Sequence, residues 1–233
     1  CLEQMLKEFS GGWIRPNLFN NTLNKVNLER FNEAYARYEK DQDNTDDLRP
    51  FVITQGDGDL PALSISSDGY IDLPADYFHL SSVTLLGQQN TGGDFCNQVE
   101  KFGRPAVVLT DDQFNTRRRS SLLKPTVRRP ICTIQNNKIR VLPVEYAGGL
   151  AQVTYIRKPA TPFLDWKLIS VSEWYPEFLP AGELHDGTNL PNGTPSRTVE
   201  LEWPEQYHQE FAETMLRSFM QRMGDQRIQT VRE

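Results

Sequence analysis

No run of about 18 apolar residues occurs in the chain, so nothing in it reads as a membrane-spanning helix and no membrane partner is expected. Cysteine is scarce. Cys1, Cys96 and Cys132 make an odd count without Cys-x-x-Cys spacing, which argues against a disulfide scaffold and against a zinc site. Reduced thiols in a cytosolic assembly compartment fit better. The three histidines, His79, His185 and His208, share no ligand spacing, so no metal is expected. Gly-x-x-x-x-Gly-Lys-Ser/Thr, Gly-x-Gly-x-x-Gly and His-Glu-x-x-His are all missing, and with them the usual signs of a nucleotide, dinucleotide or metalloprotease site. Cys1-Leu2-Glu3-Gln4-Met5 has neither a basic leader nor an apolar core, so a signal peptide is not expected; a start on Cys suggests a processed, trimmed or renumbered end.

What is present is an uneven distribution of charge. The net charge of −6 argues against a general nucleic-acid binder. Yet Arg117 to Arg140 holds six Arg and two Lys with no acid, while Glu29 to Asp59 holds nine acids against four bases. Such asymmetry favours a protein that meets a partner, or a copy of itself, through opposite faces. Arg117, Arg118, Arg119, Lys124, Arg128 and Arg129 are the candidate contact residues, for phosphate or for an acidic protein surface. A solvated loop, salt-bridged to the chain's own acidic helix, is the plainer reading of the same residues.

The hydrophobic period divides the chain. Leu2, Met5, Leu6 and Phe9 predict a short amphipathic helix stopped by Gly11-Gly12. Pro16 opens the next helix, with a stripe at Leu18, Phe19, Leu23 and Val26. A second stripe at Leu28, Phe31, Tyr35 and Tyr38 is out of phase with it, which predicts one kinked helix or two meeting near Asn27. Asp41 to Asp47 is an acidic loop whose Asp41-x-Asp43 start lacks the Gly and Glu of a calcium loop.

From Phe51 the period is two. Strands are expected over Phe51–Gln55, Ala62–Ser66, Tyr70–Leu73, Leu80–Leu86, Asp94–Phe102, Ile131–Gln135, Lys138–Pro143 and Ala151–Lys158. Asn136-Asn137 and Gly148-Gly149 are turns. Asp72 to Tyr77 reads as a strand end passing into one helical turn, and Asp111 begins a short helix that carries the Arg triplet. Pro159 to Ser196 is irregular, with Pro180–Pro195 as a long surface loop or arm. Thr198–Trp203 is a last strand. After Pro204 a final helix shows apolar residues at Tyr207, Phe211, Met215, Phe219 and Met223, and Gly224 ends it.

The expected class is α+β: a helical bundle from the N- and C-terminal helices with an inserted antiparallel β-sandwich or barrel. The boundaries are 1–50 for the N-terminal helices, 51–203 for the β domain with its arm at about 160–196, and 204–233 for the C-terminal helix. No catalytic residue and no cofactor is indicated. His79 reads as a structural imidazole, His185-Asp186 adjacency does not make a dyad, and Ser120-Ser121 has no paired His. The sequons at Asn20 and Asn192 read as chance matches. Trp13, Trp166, Trp174 and Trp203 could anchor interfaces, with core packing the default for each.

Several segments occur in a consistent order over nearly the whole chain. They are Phe19-Asn20, Asn27-Leu28 and Phe31-Asn32, then Gly69-Tyr70-Ile71-Asp72-Leu73-Pro74-x-Asp76-Tyr77-x-His79-Leu80 and Lys124-Pro125-Thr126-x-x-x-Pro130-Ile131. Ile139-x-Val141-x-Pro143, Val153-x-Tyr155-x-Arg157-Lys158-Pro159 and Leu201-Glu202-Trp203-Pro204 complete the set. Together they resemble the head-to-tail connector adaptors, also called ring or head-completion proteins, of short-tailed Bacteroidota phages including the crAss-like group, which are similar to tail tubular adaptors. The resemblance implies a non-enzymatic virion protein that forms a ring of about a dozen copies and joins the portal to the tail while DNA passes. Its implied partners are copies of itself, the portal, the next tail ring or tail hub protein, and packaged DNA touched without regard to sequence. It carries over no catalytic residue, and the 176–195 arm is not part of its pattern. The alternatives are another tail module (a hub, fibre-attachment or carbohydrate-binding β domain using Trp166, Trp174 and the arm) or a hydrolase built on one of the three histidines.

Overall fold

The computed structural model describes residues 16–40, 46–89, 100–170, 173–187 and 190–230. The helix expected at Leu2–Phe9, the start of the acidic loop and the Gly92-Gly93 turn lie outside the described residues. In chain order the elements are α1 (Pro16–Lys40), β1 (Val52–Gln55), β2 (Leu63–Ser64), β3 (Tyr70–Asp72), β4 (Tyr77–Gln89), β5 (Glu100–Val108) and α2 (Asp111–Arg119). Then come β6 (Ile131–Gln135), β7 (Lys138–Leu142), β8 (Leu150–Arg157), β9 (Trp166–Ser170), β10 (Glu173–Phe178) and α3 (His208–Thr230). The class is mixed α+β. The chain divides into two compact units, one from Cys1–Pro50 with Pro159–Glu233 and one from Phe51–Lys158.

In the first unit α1 packs against α3. Phe19, Leu23, Val26, Phe31 and Ala34 of α1 and Phe211, Met215 and Phe219 of α3 are buried. The C-terminal stripe is therefore the one its spacing predicts, although the helix runs on past Gly224. The N-terminal helix differs from its expectation: α1 is one helix through Asn27, with Leu28 exposed and Arg30 buried. The phase break at Asn27 is tertiary in origin. Its side-chain oxygen accepts the Trp203 indole N–H at 2.7 Å, and its amide donates to the Ala160 carbonyl at 3.2 Å. Two turns earlier, Asn20 both donates to the Leu164 carbonyl (3.0 Å) and accepts its N–H (2.9 Å).

Those bonds explain a correction to the predicted boundaries. The irregular segment after Pro159, assigned from the sequence to the β domain, belongs to the helical unit. Ala160 and Leu164 in it bond their backbone to α1 side chains, and the segment is not irregular throughout as expected, because β9 and β10 pair antiparallel as a two-stranded sheet of their own. Thr198–Trp203 is not a strand either; a single bridge, Phe163 with Val199, replaces it. Arg30 adds a buried charge between the helices. Its guanidinium is 4.8 Å from the Tyr207 ring centre and pairs with Glu210 at 3.3 Å. The Tyr207 hydroxyl donates to Asp47.

In the second unit the strands form one sheet in the order β1-β8-β4-β5-β6-β7-β3, with β2 also on β8, curled into a half-barrel. Alternation places Ile139 and Val141 of β7 and Ala151, Val153 and Tyr155 of β8 in the core, while Lys138, Arg140, Leu150, Gln152 and Thr154 between and before them are exposed or half-buried. Register shifts between Tyr77 and His79 and between Leu80 and Ser82 mark irregularities in the long strand β4 that bend it and favour the curl. Asn136 and Asn137 both take positive φ, the left-handed geometry of a tight hairpin turn. The residues before β4 form a turn and not a helix, so β4 begins at Tyr77.

The expectation of a purely antiparallel sheet is not met. β5 and β6 are parallel, with Val107 beside Ile131 and Val108 beside Cys132. Parallel neighbours need a crossover, and α2 with its following loop supplies it.

Burial pushes the Cys132 thiol up to about 12, so it stays neutral and inert at pH 7. Iodoacetamide at neutral pH is expected to leave Cys132 unmodified in the folded chain and to label it in denaturant, as read by peptide mass mapping. Replacing Asn20 by Ala removes two buried hydrogen bonds and leaves the Leu164 amide and carbonyl without those partners, at a cost of about 2 kcal/mol. Urea unfolding of the variant checks this.

Candidate functional site

The six cations singled out from the sequence fall on the crossover between β5 and β6. Two contacts fix its helix to the sheet. Phe114 is fully buried against Ile131 and Leu142. At the helix N-terminus, Asp111 accepts hydrogen bonds from the Thr133 hydroxyl and the Gln135 amide, each at 3.1 Å. Asp111 and Asp112 in the first turn and Arg117, Arg118 and Arg119 in the last complement the helix dipole at both ends. So the arginine triplet helps its own helix as well as facing outward.

Beyond the helix the chain is held by specific bonds. The Ser120 N–H donates to the Arg117 and Thr116 carbonyls, and its hydroxyl accepts the Leu123 N–H at 3.1 Å. Thr126 and Arg129 close a tight turn, with the Arg129 N–H on the Thr126 carbonyl at 2.9 Å. The Tyr146 hydroxyl donates to the Val127 carbonyl at 2.8 Å, tying the turn to the unit's core. Burial pushes the Tyr146 phenol up, and the nearby Arg104 charge opposes it.

On this frame Arg118, Arg119, Lys124, Arg128 and Arg129 are exposed and Arg117 is half-buried. No ion pair among the described residues engages any of the six. Their exposure is also what the plainer reading, a solvated loop, predicts; only its salt bridges to the chain's own acidic helix are not among those ion pairs. The other two cations of the run have partners on the same unit. Lys138 pairs with Asp72 at 2.8 Å, and Arg140 stacks over the Phe114 and Tyr70 rings. Sequence reasoning missed Arg104, exposed on β5 and brought near the same turn through Tyr146. It also missed two neighbours without charge, Leu122 and Leu123, which lie 93% and 60% exposed between the cations.

The histidines are placed differently. His79 is half-buried on β4, and His208 Nε2 lies 3.0 Å from the Trp203 carbonyl oxygen at the start of α3. His185 meets Asp165 and not the adjacent Asp186 in the contact that defines it: Nε2 to Oδ2 is 3.0 Å, with both residues 1% exposed. Around Asp165 the arm folds up. Its carboxylate also accepts the N–H groups of Trp166 and Arg197, its own N–H donates to the Thr198 hydroxyl, and that hydroxyl donates to the Leu179 carbonyl. Buried as it is, this centre organises backbone. Among the described residues no group of three or more His, Cys, Asp or Glu side chains converges as metal ligands, and no helix is long and apolar enough to cross a membrane. A scan against protein-family models finds no match, and neither does a search of curated proteins.

Burial by itself would raise Asp165, but the Arg197 N–H, the His185 ring, the Trp166 N–H and the Arg197 charge outweigh it and hold the carboxyl below its ordinary 3.8. A depressed folded pKa gives stability that is full above pH 3.8 and lost as pH falls through the folded value. Asp165→Ala is expected to cost about 3 kcal/mol at neutral pH and to flatten that acid limb in urea unfolding across a pH series. An acid limb unchanged in the variant would assign the loss to other carboxylates.

Proposed function

We propose that the chain is a structural subunit of a phage virion, assembling as a homo-oligomeric ring that joins the portal to the tail and lets DNA pass. The ordered motifs that resemble the connector adaptors support this reading. The observation that carries it is the basic crossover: a preorganised, outward-facing set of cations with no carboxylate partner among the described residues. Such a set suits an acidic neighbour or the phosphates of passing DNA, felt as charge alone. In this reading the terminal helices form the bundle, the β unit is a barrel-like insertion into it, and portal and next tail ring dock on separate surfaces. The alternative that uses Trp166 as an exposed glycan platform is weaker, because Trp166 is half-buried.

Native mass of the chain, alone and with the portal from the same source, tests the reading. A portal complex with about one copy per portal subunit is expected; no association at any concentration would sink it. Converting Arg117, Arg118 and Arg119 to Glu is expected to impair ring assembly or DNA retention in particles without unfolding the chain. Normal assembly and retention would remove any essential role for the triplet.

A further inference from the structure

Two features of the crossover loop are not explained by charge. Leu122 is 93% exposed and Leu123 60%, and Val127 is exposed beside them. Exposed leucines taken singly are ordinary. These are different because the fold holds them out: Ser120 closes the turn under Leu123, Tyr146 fixes Val127, and Phe114 anchors the helix that leads to them. A tip already ordered loses little conformational entropy when it is covered. An apolar pair at its centre with cations at its rim has the layout of an interface core and rim. DNA phosphates would use the cations and leave the leucines wet. A protein surface with apolar ground and acidic edges would use both.

The chain itself carries the residues such a surface needs. It carries −6 overall, and the six loop cations account for +6, so the remainder of every copy carries −12. Among the described residues, exposed acids stand next to exposed apolar side chains at Asp59-Leu60, Glu183-Leu184 and Val144-Glu145. We propose that the Arg117–Arg129 loop is the donor half of a head-to-tail contact, its Leu122-Leu123 tip seated on the acidic surface of a second copy. The contact is heterologous, since a basic loop repels its own counterpart, and a heterologous contact that closes on itself makes a ring. The proposal deepens the ring reading by naming the surface that joins its subunits.

The test compares wild type, Leu122→Ser/Leu123→Ser and Arg118→Glu/Arg119→Glu by native mass over a concentration series, alone and on the portal. Circular dichroism melts control for folding, and the serines, being exposed, are expected to leave the melt unchanged. The serine variant is expected to weaken copy-to-copy association at least about tenfold, at high salt as at low, while the charge variant loses most at low salt. Duplex DNA and phosphatidylglycerol vesicles are titrated in parallel. Self-association equal to wild type in the serine variant overturns the proposal even if the portal binds. So does a loss confined to DNA or to vesicles, which gives the loop to those ligands. Self-association through the leucines without any portal binding upholds the contact and removes the adaptor reading. A chain that stays monomeric alone and on the portal overturns the contact outright.

Discussion

An irregular stretch of backbone can enter a folded unit only if its N–H and C=O groups find partners there. In the helical unit that constraint decides nearly everything after Pro159. Asn20 and Asn27 on α1 take the backbone of Leu164 and Ala160, and Asp165 then gathers Trp166, His185 and Arg197 about its carboxylate while its own N–H donates to the Thr198 hydroxyl. Side chains act here alongside the short antiparallel ladder of β9 with β10. The arm is thereby a structured part of the unit, with Leu164, Leu179 and His185 buried. Its ionised centre survives burial because each carboxylate oxygen is met by a donor, which is the condition under which a buried charge is tolerated.

The β unit answers a different demand. Placing β6 parallel to β5 obliges the chain to travel back across the sheet before it can pair. The crossover that does so is short, anchored by Phe114 and Asp111 and turned by Ser120 and Thr126. The most basic stretch of the sequence is therefore a fixed feature of the surface. Lys138 and Arg140, close by in sequence, have partners within the unit: exposed Lys138 pairs with Asp72, and Arg140 stacks on the Phe114 and Tyr70 rings. Proximity along the chain did not decide which cations have partners; strand register and helix anchoring did.

Much of the fold was legible from residue order. The period of two located most strands to within a few residues, and Asn136-Asn137 named their turn because few other residues tolerate positive φ. The four-residue spacing from Tyr207 onward marked the buried face of α3. The basic segment was visible from composition alone, and the residues from Asp111 marked the short helix that carries its first three arginines.

What the residues could not disclose by themselves has one physical source: the partner lies far away in the chain. Asn27 read as a break because the stripes before and after it are out of phase, and its partners are Trp203 and Ala160. His185 was compared with its neighbour Asp186, while the carboxylate it meets is Asp165. The parallel pairing of β5 with β6 leaves no trace in either strand's alternation, because period reports burial and not direction. Leu122 and Leu123 looked like any other leucines until tertiary structure left them uncovered. Local pattern determined which segments are helix and strand and where charge accumulates; long-range hydrogen bonding and packing decided which polar groups are buried, which unit owns the arm, and which apolar side chains face water.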